Sequence, residues 1–192
     1  MILQPVLMPI PEDGALSGPQ RVARQREYAR RALAACADLC GVGNVDWTKD
    51  GNNVPQPCAG CHWSISHKPR WAAAVIADGP VGIDIEHVKP RRADLFDEVA
   101  DEDEWSAVGG RCWPAFFRIW TAKEAVLKAN GVGIGRLSGC RVVRSPGEGD
   151  LTLDYDGRPW RVRHLLHGDH VAAVTADEDA VLWHVHCEPD AT

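Results

Sequence analysis

At 192 residues, the chain is long enough to bury a sizeable core as one domain or two small halves. Its 45% hydrophobic and 25% charged residues are ordinary for a globular protein, and a net charge of −6 argues against wholesale binding to nucleic acid. Seven cysteines, an odd number without regular spacing, fit reduced thiols in a cytoplasm better than a disulfide framework.

Residues 1–10 are apolar but carry no basic segment, contain Pro5 and Pro9, and run into Pro11-Glu12-Asp13-Gly14. That pattern predicts neither a signal peptide nor a membrane span. Residues 20–40 carry an approximate helical stripe (Val22, Tyr28, Ala32, Leu33, Ala35, Cys36, Leu39), ended by Gly41 and Gly43. Arg21, Arg24, Arg26, Arg30 and Arg31 crowd its first half against Glu27. Such a run is either a solvated face or a phosphate seat, since guanidinium matches phosphate oxygens in a bidentate way.

A Gly, Asn and Pro-rich connection follows over residues 47–57. Cys58-Ala59-Gly60-Cys61-His62 has the spacing of a haem-attachment motif, but that chemistry needs export and a second axial ligand. Zinc would need a further Cys or His pair at a finger-like distance, and none stands there. The favoured reading is a loop with two thiols just before a strand over residues 61–66, with Trp63 and Ile65 on one face. Ser66-His67 closes that strand before Lys68-Pro69-Arg70, a position where a histidine is usually a structural hydrogen bonder.

Residues 71–77 and 81–86 are expected to form a hairpin around Asp78-Gly79-Pro80. In the second strand Val81, Ile83 and Ile85 alternate toward a core, sending Asp84 and Glu86 out together on the other face. Carboxylates at i and i+2 stand about 7 Å apart, so they are either two solvated acids or holders of one hard cation. An echo links this segment to the C-terminal part: Trp71-Ala72-Ala73-Ala74-Val75-Ile76-Ala77-Asp78 lines up with His170-Val171-Ala172-Ala173-Val174-Thr175-Ala176-Asp177. The second copy has Trp183 and Val185 where the first has Asp84 and Glu86, so a single acid pair survives. The expected fold is therefore α+β, with two pseudo-duplicated halves, residues 1–86 and 87–192, and a cleft between them.

After Lys89-Pro90-Arg91-Arg92, residues 93–108 read as helical, with Leu95, Phe96, Val99 and Trp105 toward the core and Asp101-Glu102-Asp103-Glu104 as an exposed acidic turn. Pro114 opens a helix through Phe117 and Trp120 that stops near Gly131. Trp120, Glu124 and Lys128 share one of its faces. As a surface pair, Glu124 and Lys128 would be worth only about 0.2–0.5 kcal/mol. Alternatively Glu124 joins Asp84 and Glu86 as a third oxygen ligand and Lys128 meets a phosphate, a set that suits magnesium bridging a diphosphate. Five strands are expected over residues 141–144, 151–155, 160–165, 171–176 and 181–185, without a repeated histidine spacing suited to metal.

Ser66-His67, Gly82-Ile83-Asp84-Ile85-Glu86, Trp120, Lys123-Glu124 and Lys128 resemble, in order and approximate spacing, the 4′-phosphopantetheinyl transferases of the surfactin-synthetase type, from about Arg21 to the C-terminus. The resemblance implies Mg-dependent transfer of phosphopantetheine from coenzyme A to a serine of an apo carrier protein, with adenosine 3′,5′-bisphosphate leaving. It implies Asp84, Glu86 and Glu124 on the metal, Lys128 with Lys123 on phosphate oxygens, and Ser66, His67, Arg21 and Arg30 at the nucleotide end. Arg31 remains an alternative to Arg30, and Glu104 falls at the position of the general base. Where relatives read Gly-Lys-Pro, this chain has Gly51-Asn52-Asn53, so that cation is missing. A non-catalytic binder of coenzyme A or carrier, and a Cys-rich metal or redox module, are the other classes. A cytoplasmic monomer with an intramolecular site, without membrane or nucleic-acid partner, is expected.

Overall fold

The computed structural model describes residues 2–12, 14–43, 45–176 and 180–187. Asp13 and Asp177, named in the motifs above, lie outside the described residues. No helix among the described residues is long and apolar enough to cross a membrane.

Two sheets lie face to face, each with a helix on its outer side. The first has the order β11(His184–Val185), β2(Val6–Pro9), β4(Trp71–Ala77), β3(His62–Lys68). The second runs β5(Ile83–His87), β9(His170–Thr175), β8(Arg158–His167), β7(Asp150–Tyr155), β6(Cys140–Gly147). β1(Ile2–Leu3) and β10(Ala180–Val181) pair in parallel beside them. Helix α1(Gly18–Leu39) covers the first sheet, and α4(Trp113–Ala129) covers the second.

The alternation in β4 and β9 explains the layering. Ala72, Ala74 and Ile76 pack toward α1, whereas Ala73, Val75 and Ala77 join Ala172 and Val174 of β9, and Ala176 just after it, in the core between the sheets. Both strands are covered on both faces, so they read as continuous apolar runs. Their alanines leave the room for two sheets and two helices to close on them.

The expected hairpin of residues 71–77 with 81–86 is not formed. β4 pairs with β2 and β3 in one sheet, and β5 pairs antiparallel with β9 in the other. Residues 78–82 carry the chain from sheet to sheet, held by Gly82 N donating to Thr175 Oγ1 (2.9 Å) and Thr175 N donating to Gly82 O (3.0 Å). β5, from the first half of the sequence, thus completes the second sheet, while β11 completes the first beside β2. A boundary at residue 86 cuts through β5, because each half lends the other a strand.

The N-terminal strands were not anticipated. Residues 2–9 are clamped by the C-terminal segment, through Leu182 N to Leu3 O (2.9 Å), His184 N to Pro5 O (2.8 Å) and His186 N to Leu7 O (2.9 Å). Residues 181–185, expected as one strand, divide into β10 and β11 to make these contacts. The helix expected over residues 93–108 divides too, into α2(Leu95–Val99) and α3(Glu102–Ala107), with Ala100 extended at φ −154°. Asp101 is then an N-cap rather than part of an acidic turn, its side chain accepting from Glu104 N at 3.0 Å while Glu104 reaches back to Asp101 N.

One glycine sets the distance between β5 and α4. A Cβ placed on Gly82 would lie 1.8 Å from the Ala125 carbonyl oxygen and 2.8 Å from Ala129 N, both rigid helix backbone. Gly82→Ala therefore forces the strand off the helix. The expected cost is about 1–3 kcal/mol or more, read as a Tm lowered by at least about 2–4 °C.

Candidate functional site

The site forms where the β3 edge of the first sheet meets the β5 edge of the second. Ile83 N donates to Ser64 Oγ (3.2 Å), and Ser66 Oγ donates to Asp84 Oδ1 (2.8 Å). Serine hydroxyls thus bridge two edges that make no regular ladder. Ile83 and Ile85 point between the sheets, so Asp84 and Glu86 point toward α4. They are not solvated: Asp84 is 5% and Glu86 6% exposed.

Helix α4 supplies the facing groups at i, i+4 spacing. Trp120 Nε1 donates to Glu86 Oε1 (3.2 Å), and Lys128 Nζ donates to Asp84 Oδ1 (2.7 Å) and Ile83 O (3.1 Å). Glu124 lies between them on the same face. Lys68, one strand repeat beyond Ser66, meets Glu86 Oε1 at 2.7 Å. Sequence reasoning overlooked Lys68, although its i, i+2 relation to Ser66 mirrors that of Glu86 to Asp84.

Burial and the neighbouring Asp84 raise the Glu86 carboxyl above its ordinary range, with Lys68 opposing. Glu124 is raised by the same causes, burial first and Asp84 next, opposed by Lys128. Asp84 Oδ2 and Glu124 Oε1 are buried without a hydrogen-bond partner. Orphaned carboxylate oxygens of this kind fit a hard divalent cation. Among the described residues, however, no group of three or more Asp, Glu, His or Cys side chains stands in a geometry that could hold a metal ion. One oxygen of each strand acid is instead taken by an ammonium group, Glu86 Oε1 by Lys68 and Asp84 Oδ1 by Lys128, both at 2.7 Å.

Glu104 and Lys123 come together away from solvent as an ion pair at 2.8 Å, 4% and 1% exposed as residues. Lys123 Nζ also donates to Val99 O (2.7 Å), and Glu104 Oε1 accepts from Val142 N (2.8 Å). The pair ties α4 to α3 and β6, and so fixes the rotation of α4 that presents Glu124 to β5. Lys123 points away from an exposed phosphate seat, because its neighbour Glu124 already takes the face toward the carboxylates.

A cationic rim continues toward α1. His67 Nδ1 lies 3.1 Å from Gln25 Oε1, and burial, followed by the charges of Lys128, Lys68, Arg26 and Lys49, lowers its imidazole below the ordinary histidine range. Partial desolvation lowers the Lys49 ammonium, with Lys128, Arg30 and Arg26 contributing. Arg30 belongs to this rim, whereas Arg31 is engaged with Glu27 (2.6 Å) and the Tyr28 ring. Arg21 donates to Leu16 O (3.0 Å) and lines a separate cavity of about 240 Å³ with Arg24, Gln25 and Arg70. Asn52 N and Val54 N both donate to Asp50 Oδ1 at 2.9 Å, closing the loop that carries Lys49.

Two outcomes follow from the buried charges. Lys123→Met leaves Glu104 buried and unpaired, which should cost about 3–5 kcal/mol and lower Tm by at least about 6 °C. Adding Glu104→Gln should recover more than half of that loss. Raised carboxyls behave in the opposite sense. Because Glu86 and Glu124 bind their protons more tightly folded than unfolded, their ionisation costs stability as pH rises from the ordinary carboxylate range through the raised values. Glu124→Gln should therefore raise Tm at neutral pH by roughly 2–4 °C per kcal/mol of relieved penalty, and the gain should vanish below about pH 4.3.

Comparison with known proteins places this geometry. The sequence signature described as the 4′-phosphopantetheinyl transferase superfamily matches residues 80–175, spanning β5 through β9 and all of α4. The chain is 32% identical over 108 residues to the 4′-phosphopantetheinyl transferase psf-1 of Bacillus pumilus, covering 54% of this chain and 46% of that protein. It is 32% identical over 95 residues to the 4′-phosphopantetheinyl transferase gsp of Aneurinibacillus migulanus, covering 47% and 40%. With the 4′-phosphopantetheinyl transferase AcpT of Escherichia coli O157:H7 it shares 30% identity over 130 residues, covering 64% and 66%. The matched stretch spans less than half of the first two relatives' length. An acid-bearing edge strand seated on a Trp-Lys-Glu-Lys helix, within the matched half of the sequence, makes this chain a member of the 4′-phosphopantetheinyl transferase superfamily.

Proposed function

We propose that this protein transfers the 4′-phosphopantetheine group of coenzyme A to a serine hydroxyl of an apo carrier protein. The observation that carries the reading is the junction of β3, β5 and α4. Three acidic side chains with two orphaned oxygens face two lysines and a cationic rim, a composition that suits a diphosphate and its cation.

Asp84, Glu86 and Glu124 would hold magnesium, once Lys68 and Lys128 turn from the carboxylates to phosphate oxygens. When bound, the ion neutralises the charge that develops on the leaving bisphosphate. Lys128 and Lys68 then orient the diphosphate by charge-assisted hydrogen bonds. Their present partners are Asp84 and Glu86, and both lysine side chains remain partly exposed. Ser66 fixes the Asp84 carboxylate, and His67 with Arg30 and Lys49 would seat the nucleotide end. Such remote contacts spend binding free energy on aligning the reacting phosphorus.

The nucleophile comes from the partner. At 4% exposure Glu104 can take the serine proton only through water, by way of Oε2, which accepts from Asp101 N at 3.1 Å. Its firmer role is to position α4 through Lys123. The assignment of Lys123 to a phosphate contact gives way to this one, because its ammonium is already paired and enclosed.

Intact-mass spectrometry of apo carrier proteins incubated with this protein, coenzyme A and magnesium tests the proposal. The expected result is a gain of one phosphopantetheine, abolished by chelation and reduced at least about a hundredfold by Asp84→Ala or Glu124→Ala. Coenzyme A binding without transfer to any carrier would favour a non-catalytic relative instead.

A further inference from the structure

The Cys58-Ala59-Gly60-Cys61 segment, which the transfer reading does not use, is a closed two-residue hairpin. Cys58 N donates to Cys61 O and Cys61 N to Cys58 O, both at 2.9 Å, so the two cysteines face each other as a hydrogen-bonded antiparallel pair. Ala59 and Gly60 hold positive φ of 51° and 76°, the signature of a type I′ turn. Facing residues of such a pair project from the same side of the ribbon with Cα atoms about 5.5 Å apart, inside the range a disulfide spans. Cys61 Sγ leans back over the turn to Ala59 O at 3.8 Å, and both thiols are partly exposed.

We propose that Cys58 and Cys61 form a reversible dithiol–disulfide site, oxidised by exchange with a small-molecule disulfide. One cysteine thiolate attacks a sulfur of oxidised glutathione, forming a mixed disulfide and releasing one glutathione thiolate. The facing thiolate then attacks the protein sulfur of that mixed disulfide, forming the Cys58–Cys61 bond and releasing the second glutathione. Two electrons pass to glutathione, and the two thiol protons end on the released thiolates.

The other cysteines are placed differently. Cys36 and Cys140 are buried, and desolvation pushes both thiols up, Cys140 to about 12. Cys112 and Cys187 are exposed. Cys40, just after α1, donates its backbone N to Cys36 O at 3.0 Å, is exposed and lies near enough to Cys61 to feel its charge, which makes it the competitor to test. The turn lies at the base of the 48–57 loop, whose Gln56 carbonyl accepts from Trp63 Nε1 at 2.9 Å. Oxidation would therefore pin that loop to the start of β3 without closing the carboxylate site.

The test is differential alkylation and peptide mapping of the full chain, equilibrated in glutathione buffers from fully reduced to fully oxidised. The expected result is loss of two alkylatable thiols, linked within the peptide holding Cys58 and Cys61, and restored by a dithiol reductant. In Cys58→Ser a glutathione adduct on Cys61 should replace the internal bond, and Cys40→Ser should leave the bond unchanged. A Cys40–Cys61 linkage, persistent glutathione adducts on the unsubstituted chain, or no loss of thiols would overturn the proposal. None of these readouts depends on transferase activity.

Discussion

Three carboxylates gathered at the edge of a sheet repel one another and lose hydration, and much of the structure answers that cost. Asp84 is held by Ser66 and Lys128, and Glu86 by Lys68 and Trp120. Each acid is thus braced by a residue from β3 and another from α4, on opposite sides of β5. What stays unanswered is equally informative. Burial and mutual repulsion keep Glu86 and Glu124 raised, and one oxygen each of Asp84 and Glu124 has no partner. It is this incomplete satisfaction on which the proposed binding of a cation and a diphosphate rests.

Holding the acids there requires β5 and α4 to stay in register, and two distant devices do this. Gly82 lets the strand backbone press against the Ala125 carbonyl. On the far side of the helix, the enclosed Glu104–Lys123 pair ties α4 to α3 and β6. Neighbouring residues of one helix, Lys123 and Glu124, therefore serve opposite purposes: one anchors the scaffold and the other faces the site. Strand exchange adds a further constraint, because β5 cannot leave the second sheet without disturbing the crossing from β4.

Much of this was legible in residue patterns. The alternation of Val81, Ile83 and Ile85 placed Asp84 and Glu86 on a common face, and i, i+4 spacing placed Trp120, Glu124 and Lys128 on another. The echo between residues 71–78 and 170–177 falls on β4 and β9, since buried Ala-rich strands leave a recognisable run. Less legible was the partner of each strand. Asp78-Gly79-Pro80 is good hairpin chemistry, yet the chain crosses to another sheet there, because β9 offers Thr175 to the Gly82 amide and carbonyl. The apolar residues 2–9 gave no strand signal of their own and acquire their order from the C-terminal segment.

Periodicity and side-chain chemistry are local properties, so the chain alone was enough to specify two acid-bearing and base-bearing faces and the family they resemble. Which faces meet is a matter of packing. Folding alone brought Lys68 to Glu86 and Lys49 into the cationic rim, and enclosed Glu104 with Lys123 although the acidic run around Glu104 reads as a surface turn. A charge takes its role from how much water its neighbours exclude and which opposite charge they bring near. Both depend on residues far away in sequence.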